Sequence, residues 1–230
     1  MFNAKHVIGL AVIGAMLALM PLSAARAEDT FMQKEAAAFR KIAASEAFTR
    51  AACDRVSAPQ ILGCRALYQD LTDISMETAT VLDKWQEAYI AGDKPKGWEL
   101  KRQYVQLVVK YRELSNETWN KNYFSTEWSS VRNGTASSFA EGYLREQTQA
   151  LAVRNNFCST LVGDAYTACQ KDWDGYADAI RDMLVVSAQL NQARHDNDKE
   201  AYFAAYVKEA QLRIKVVDIE AVIKPQYLGL

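Results

Sequence analysis

Two stretches of sequence decide the fold: CDRVSAPQILGC at residues 53–64 and CSTLVGDAYTAC at residues 158–169. Each stretch begins and ends with a cysteine, and together they hold all 4 cysteines of the chain. The spacing of ten residues between cysteines is the same in both, and the stretches lie 105 residues apart. Four cysteines allow three pairings. The repeated spacing favours the local pairing, Cys53 with Cys64 and Cys158 with Cys169.

Metal binding is the alternative use of four cysteines. Zinc sites of this type usually contain a closely spaced cysteine pair with further cysteine or histidine ligands. No C-x-x-C pair is present, and the only histidine beyond the first few residues is His195. The sequence therefore predicts two disulfides, no metal site and no cofactor.

The similarity between the two halves extends beyond the cysteines. A shift of 105 aligns an aromatic position, two acidic positions and a valine: Tyr68 with Trp173, Asp73 with Asp178, Glu77 with Asp182, and Val81 with Val186. The turn at residues 92–96 matches the one at residues 195–199 after a gap of one or two residues. We interpret this order of matches as an internal duplication, with unit 1 at residues 28–124 and unit 2 at residues 125–230.

Helices are predicted between the turns, because the chain has only 4 prolines and 10 glycines and its apolar residues recur every three or four positions. After Cys64 the predicted buried stripe is Leu67, Leu71, Ile74, Thr78, Val81, Trp85 and Ala88. In the last helix it is Phe203, Val207, Ala210, Ile214, Val217 and Ala221. The predicted fold class is all-α, with two tandem copies of a disulfide-stapled three-helix unit forming an elongated helical bundle. In each unit the cysteines are expected to face one another across an antiparallel hairpin.

The N-terminal residues have the pattern of a secretory signal peptide. Lys5 precedes an apolar run at residues 7–20, Pro21 ends that run, and the small-x-small sequence at residues 25–27 suits a signal peptidase. An uncleaved anchor is the alternative, but the run is shorter than the roughly 20 apolar residues that span a bilayer. We therefore predict cleavage near Ala27 and a periplasmic or secreted protein, which agrees with the predicted disulfides.

Charge narrows the range of partners. Removal of residues 1–27 takes away Lys5 and Arg26 and no acidic residue, so the formal charge goes from -1 to -3. Binding to nucleic acid depends on clustered basic side chains, and anionic lipid also attracts basic segments. The charge thus predicts no nucleic acid partner. No stretch after the signal is apolar enough to cross a bilayer, so no membrane span is predicted in the mature chain. The expected partner is another envelope or extracellular protein, and the oligomeric state stays open.

No catalytic motif is evident, because the sequence has no G-x-S-x-G, H-E-x-x-H, P-loop or dinucleotide fingerprint. Acidic pairs and tryptophans near helix ends are the candidates for an interaction surface: Asp73, Glu77, Trp98, Trp119, Trp128, Asp178 and Asp182. The leading hypothesis is a non-enzymatic protein that binds another protein of the bacterial envelope as a scaffold, inhibitor or secretion accessory. A bundle that binds a small ligand is the first alternative, and a carboxylate-dependent hydrolase is the second.

Overall fold

A computed structural model describes residues 25–124 and 137–229, with side chains from residue 31 in the first range and from residue 140 in the second. Within these residues there is no strand, which confirms the all-α prediction. Six α-helices are present: α1 (Ala25–Ala51), α2 (Ile61–Ile90), α3 (Lys94–Lys121), α4 (Ser137–Asn156), α5 (Gly163–His195) and α6 (Lys199–Leu228). Most of the predicted signal peptide lies outside the described residues, and so does Trp128.

The chain divides into two compact units. Among the described residues, α1–α3 belong to the first unit and α4–α6 to the second. In each unit the second helix packs against both the first and the third. The stretch in which the units separate, residues 125–136, lies outside the described residues, so the predicted boundary after residue 124 stays a prediction.

Both disulfides form as predicted, Cys53 with Cys64 and Cys158 with Cys169. The bridged Cα atoms are 5.8 and 5.6 Å apart, and all four cysteines are fully buried. The prediction that both cysteines of a pair lie on helices is wrong for the first of each pair. Each lies in a short 3-10 turn, at residues 52–55 and 158–160. Each bridge therefore ties a 3-10 turn to the helix that follows it.

The turn between the second and third helices is also repeated. Gly92 and Asn197 both have positive φ, at 71° and 59°, and the next residues are Asp93 and Asp198. Each aspartate side chain accepts a hydrogen bond from the backbone amide three residues on, at 3.1 and 2.9 Å, and so caps the third helix. These positions differ by 105 without adjustment, so the gap of one or two residues proposed for this turn is not needed.

The buried faces agree with the sequence prediction in α2 and differ in α6. Every position of the predicted α2 stripe is buried. In α6, Val207, Ile214 and Ala221 are only half-buried. The buried face also contains four charged residues: Glu209, Arg213, Glu220 and Lys224. The buried face of α6 is therefore rotated relative to the predicted stripe, and it contains charged side chains that the sequence analysis did not assign to any site.

Candidate functional site

The predicted acidic pairs lie on the second helix of each unit. Asp73 and Glu77 are exposed on α2, and Asp73 accepts a hydrogen bond from a glutamine one turn earlier at 2.7 Å. Asp178 on α5 pairs with an arginine three residues on at 3.0 Å, and Asp182 lies 3.6 Å from Lys215 on α6. Exposed pairs of this kind contribute little to stability. Each acidic pair belongs to its own unit.

The predicted tryptophans do not form one patch. Trp98 is half-buried near the start of α3, where the Lys101 ammonium lies 4.9 Å from its ring centroid. Trp119 is half-buried near the end of the same helix. A rise of 1.5 Å per residue separates the two tryptophans by about 30 Å along the axis. Neither is positioned to share a ligand with the other.

Five of the ten exposed large apolar side chains among the described residues lie at what we call the clamped end of each unit, where the disulfide closes the turn between its first two helices. In unit 1 these are Phe48 on α1 and Leu62 on α2, and in unit 2 they are Leu151, Val162 and Tyr166. Val162 is 85% exposed and Leu62 is 79% exposed. These two are the most exposed large apolar residues among the described side chains. The sequence analysis missed this feature, although both residues lie within the cysteine loops.

A buried polar cluster fills part of the interior of unit 2. One part is a trio in which Tyr143 of α4 contacts Glu209 and Arg213 of α6. Arg213 also donates to Glu209, with Nε at 2.8 Å and Nη2 at 2.7 Å, and its guanidinium carbon lies 5.6 Å from the centroid of the tyrosine ring. The tyrosine hydroxyl can therefore accept from the arginine and donate to the glutamate, so its two hydrogen-bonding roles are filled.

The other part of the cluster surrounds Tyr176 of α5. Its hydroxyl contacts Glu146 of α4 and lies 2.8 Å from Oε1 of Glu220 on α6. Lys224 contacts the same glutamate oxygen, and its ammonium lies 5.6 Å from the tyrosine ring centroid. Burial first, and then the facing carboxylates, raise the pKa of Tyr176 well above its usual value, so the phenol keeps its proton.

Unit 1 contains a perturbed carboxyl group, Glu46 on α1. It is half-buried, and Tyr111 of α3 donates to its Oε1 at 3.4 Å. Burial raises the pKa of Glu46 to about 7, an effect that the tyrosine hydrogen bond partly opposes. The pKa of Tyr68 on α2 is raised by burial and then by the nearby glutamate. A carboxyl group that titrates near neutral pH is a candidate acid–base or sensor group.

A groove of about 700 Å³ runs between α5 and α6 of unit 2. Its apolar part is formed by Ile214, Ile219 and Ile223, together with the exposed Val222. Gly175 of α5 faces the groove, and a Cβ atom added there would have no neighbour within 4 Å. The remaining lining side chains carry charges of both signs or are amides: Lys171, Asp172, Gln211, Lys215 and Asp218.

The fold and its sites define a class of protein: an all-helical chain of two disulfide-clamped three-helix units. No family model, curated protein or solved structure matches this chain. Among the side chains that the structure describes, no group of three or more histidine, cysteine or carboxylate residues is arranged to hold a metal ion. None of the helices within residues 25–124 and 137–229 has an apolar segment long enough to span a bilayer.

Proposed function

We propose that this chain is an exported, non-enzymatic helical protein that binds another protein of the envelope or the extracellular space through its clamped ends. The observation that carries this proposal is the position of Leu62 and Val162. They are the two most exposed large apolar side chains among those described, and each lies within a loop that a disulfide closes. Full burial of a Leu or Val side chain is favourable by about 1.5 to 3 kcal/mol of free energy, so covering these residues with a partner would favour binding.

The disulfides make each clamped end a suitable scaffold for binding. Each bridge ties a 3-10 turn to the helix that follows it, so the backbone beside the exposed residue is ordered before any partner binds. Preorganised surfaces bind more tightly, because less conformational entropy is lost on association. The disulfides also suit an oxidising compartment, which supports export of the chain.

The test places a photo-crosslinking amino acid at Leu62, and separately at Val162, in the cell that produces the protein. Ile90 is the matched control because it is 70% exposed and lies at the opposite end of α2, about 40 Å from Leu62 along the helix axis. We expect one envelope protein to be captured from the clamped ends and not from Ile90. The double variant Leu62→Ser/Val162→Ser should reduce co-purification of that protein. Equal capture from Ile90 would contradict the proposal.

The groove of unit 2 favours a second candidate function, the binding of a small apolar ligand. Its volume of about 700 Å³ lies within the usual range of ligand pockets, roughly 300–1,000 Å³. The isoleucines supply apolar contact, and the charged side chains of the lining carry both signs. An apolar or aromatic molecule therefore suits the apolar part of this groove.

Filling the groove tests this second function. In Gly175→Met the new side chain enters open space, because nothing lies within 4 Å of the added Cβ. Ala188→Met places the same residue on the exposed face of the same helix and serves as the control. A ligand found by thermal shift should stabilise the wild type and Ala188→Met and lose its effect on Gly175→Met. A ligand that stabilises all three proteins equally does not bind in this groove.

A further inference from the structure

The face of α6 that borders the groove of unit 2 carries an ordered strip of side chains. We call four of the groove-lining residues the α6 strip: Ile214, Lys215, Asp218 and Ile219. Residues three or four apart lie on the same face of a helix, so these four share a face, and none of them is buried. Their order along the chain is apolar, basic, acidic, apolar.

This order makes the α6 strip complementary to a second copy of itself that runs in the opposite direction. When the two copies are centred between residues 216 and 217, Lys215 of each copy faces Asp218 of the other. Ile214 of each copy then faces Ile219 of the other. An interface with twofold symmetry requires this relation, because the same patch is used on both subunits and must be complementary to itself.

The charges that line the groove do not oppose this association. They are two lysines and two aspartates, so their formal charges cancel: Lys171, Asp172, Lys215 and Asp218. Lys215 lies 3.6 Å from Asp182 of its own unit, but these side chains are 56% and 47% exposed, and an exposed pair of this kind is weak. Asp218 has a further interaction in the chain. It can keep that interaction in the dimer, because a carboxylate accepts several hydrogen bonds.

We propose that the groove of unit 2 is the interface of a homodimer, in which α6 of a second copy lies antiparallel to the α6 strip. Apolar contact comes from Ile214, Ile219 and Val222, which are half-buried or exposed in a single copy. Gly175 leaves open space on the α5 side of the groove, so the second copy can approach closely there. None of these residues belongs to the clamped ends, so the proposal is independent of the one made for them.

Unit 1 has the same order of charges with less apolar surface. A shift of 105 aligns QLVVKYREL at residues 106–114 with QLRIKVVDI at residues 211–219, so apolar, basic, acidic and apolar residues follow one another on α3 as well. The first of these apolar residues, Val109, is buried, and Glu117 takes the position of Val222. Unit 1 therefore provides a control with matching charges.

Sedimentation velocity of the purified protein, with both disulfides intact, measures the association over a range of concentrations. The wild type should dimerise. Lys215→Glu and Asp218→Lys should each raise the dissociation constant about tenfold or more, because each variant places like charges opposite one another. Lys110→Glu makes the same change of charge on α3 and should leave the dissociation constant unchanged.

Two results would overturn the proposal at this stage. A dimer that neither substitution on α6 weakens forms through another surface. A wild-type protein that stays monomeric up to the millimolar range does not use the groove in this way, and a ligand effect that is lost in Gly175→Met would then assign the groove to a small ligand.

Mixing the two α6 variants tests the pairing itself. Each variant repels its own copies, but in a mixed dimer the new glutamate faces the new lysine at one contact, and the native Asp218 faces the native Lys215 at the other. The mixture should therefore associate about as tightly as the wild type, and the double variant Lys215→Glu/Asp218→Lys should dimerise by itself. Recovery also shows that the variants are folded. If neither the mixture nor the double variant recovers the dimer, the proposed pairing is wrong.

Discussion

Replacement of Glu46 by glutamine should make unit 1 more stable at alkaline pH and leave it little changed at acidic pH. The side chain lies half-buried on α1, with Tyr111 of α3 donating to it at 3.4 Å. The pKa of this carboxyl group is about 7 in the folded protein, against an ordinary value of 4.5, chiefly because burial disfavours its charge. Glutamine keeps the shape and the acceptor oxygen but cannot ionise.

The sign and size follow from proton linkage. Between pH 4.5 and about 7 the folded state holds a proton that the unfolded chain has released, so the free energy of unfolding falls as the pH rises. At about 1.4 kcal/mol per pH unit, this interval corresponds to a loss of about 3 kcal/mol. That value is an upper limit because the side chain keeps some contact with water, which screens its charge. The glutamine variant lacks this loss.

Urea-dependent hydrogen exchange of peptides from α1–α3 measures the effect without interference from unit 2. We expect the difference in unfolding free energy between Glu46→Gln and the wild type to grow by about 2 to 3 kcal/mol from about pH 5 to about pH 8. The control Asp73→Asn alters an exposed carboxylate on α2 and should give a curve parallel to the wild type. A difference that stays constant over this range would refute the assignment of the titration to Glu46.

Three further substitutions test the packing. Gly175→Ala should stabilise unit 2 by about 1 kcal/mol in thermal unfolding, because this helical glycine has open space at its Cβ position; destabilisation would show that the space is filled in solution. Arg213→Ala should destabilise unit 2 by about 3 to 5 kcal/mol in urea, because Glu209 stays buried and loses the guanidinium that pairs with it; a loss below 1 kcal/mol would mean that water reaches the trio. Replacing both cysteines of the unit 1 disulfide by alanine should cost about 3 kcal/mol, and an unchanged urea midpoint would contradict this value.

The sequence was sufficient to predict the features that depend on spacing. Equal cysteine loops led to the correct disulfide pairing, and the three-and-four period located the buried face of α2. The position of Cys53 was predicted less well, because cysteine spacing fixes which residues bond and not the winding of the turn between them. The 3-10 turn that holds it follows α1 directly.

The buried cluster of unit 2 was missed for a physical reason. Glu209–Arg213 and Glu220–Lys224 are four residues apart, the spacing of ordinary ion pairs on an exposed helix surface. Their burial depends on Tyr143 and other partners that lie on different helices, far away in sequence. Phe203, Ala210 and Val217 are buried and follow one another at intervals of seven residues. Arg213 and Glu220 each come three residues after one of these positions, so the same repeat places them on the buried face of the helix. That repeat was the available signal.

Glu46 could not have been identified from local sequence. Its pKa depends on burial against α2 and α3, and its hydrogen-bond donor Tyr111 lies 65 residues away. The exposure of the leucine and the valine at the clamped ends could not be predicted either, because the composition of a cysteine loop does not show which apolar side chain turns inward. Tertiary packing decides both features.

A comparison of the two units separates what the duplication has kept from what it has changed. Both keep the clamped turn and the aspartate cap, whereas the most exposed apolar residues do not correspond, because a shift of 105 places Leu62 at Thr167 and Val162 at Ser57. Their interiors differ: a shift of 105 places Tyr176 at the position of Leu71, and Arg213 at that of Val108. A function common to both units must depend on shared features, and the disulfide-closed turn is one of them. Charged side chains are buried in both units, for example Lys101 and Arg112 in unit 1, so the units differ in where their buried charges lie: the contacts of Tyr143 and Tyr176 with buried carboxylates are formed in unit 2.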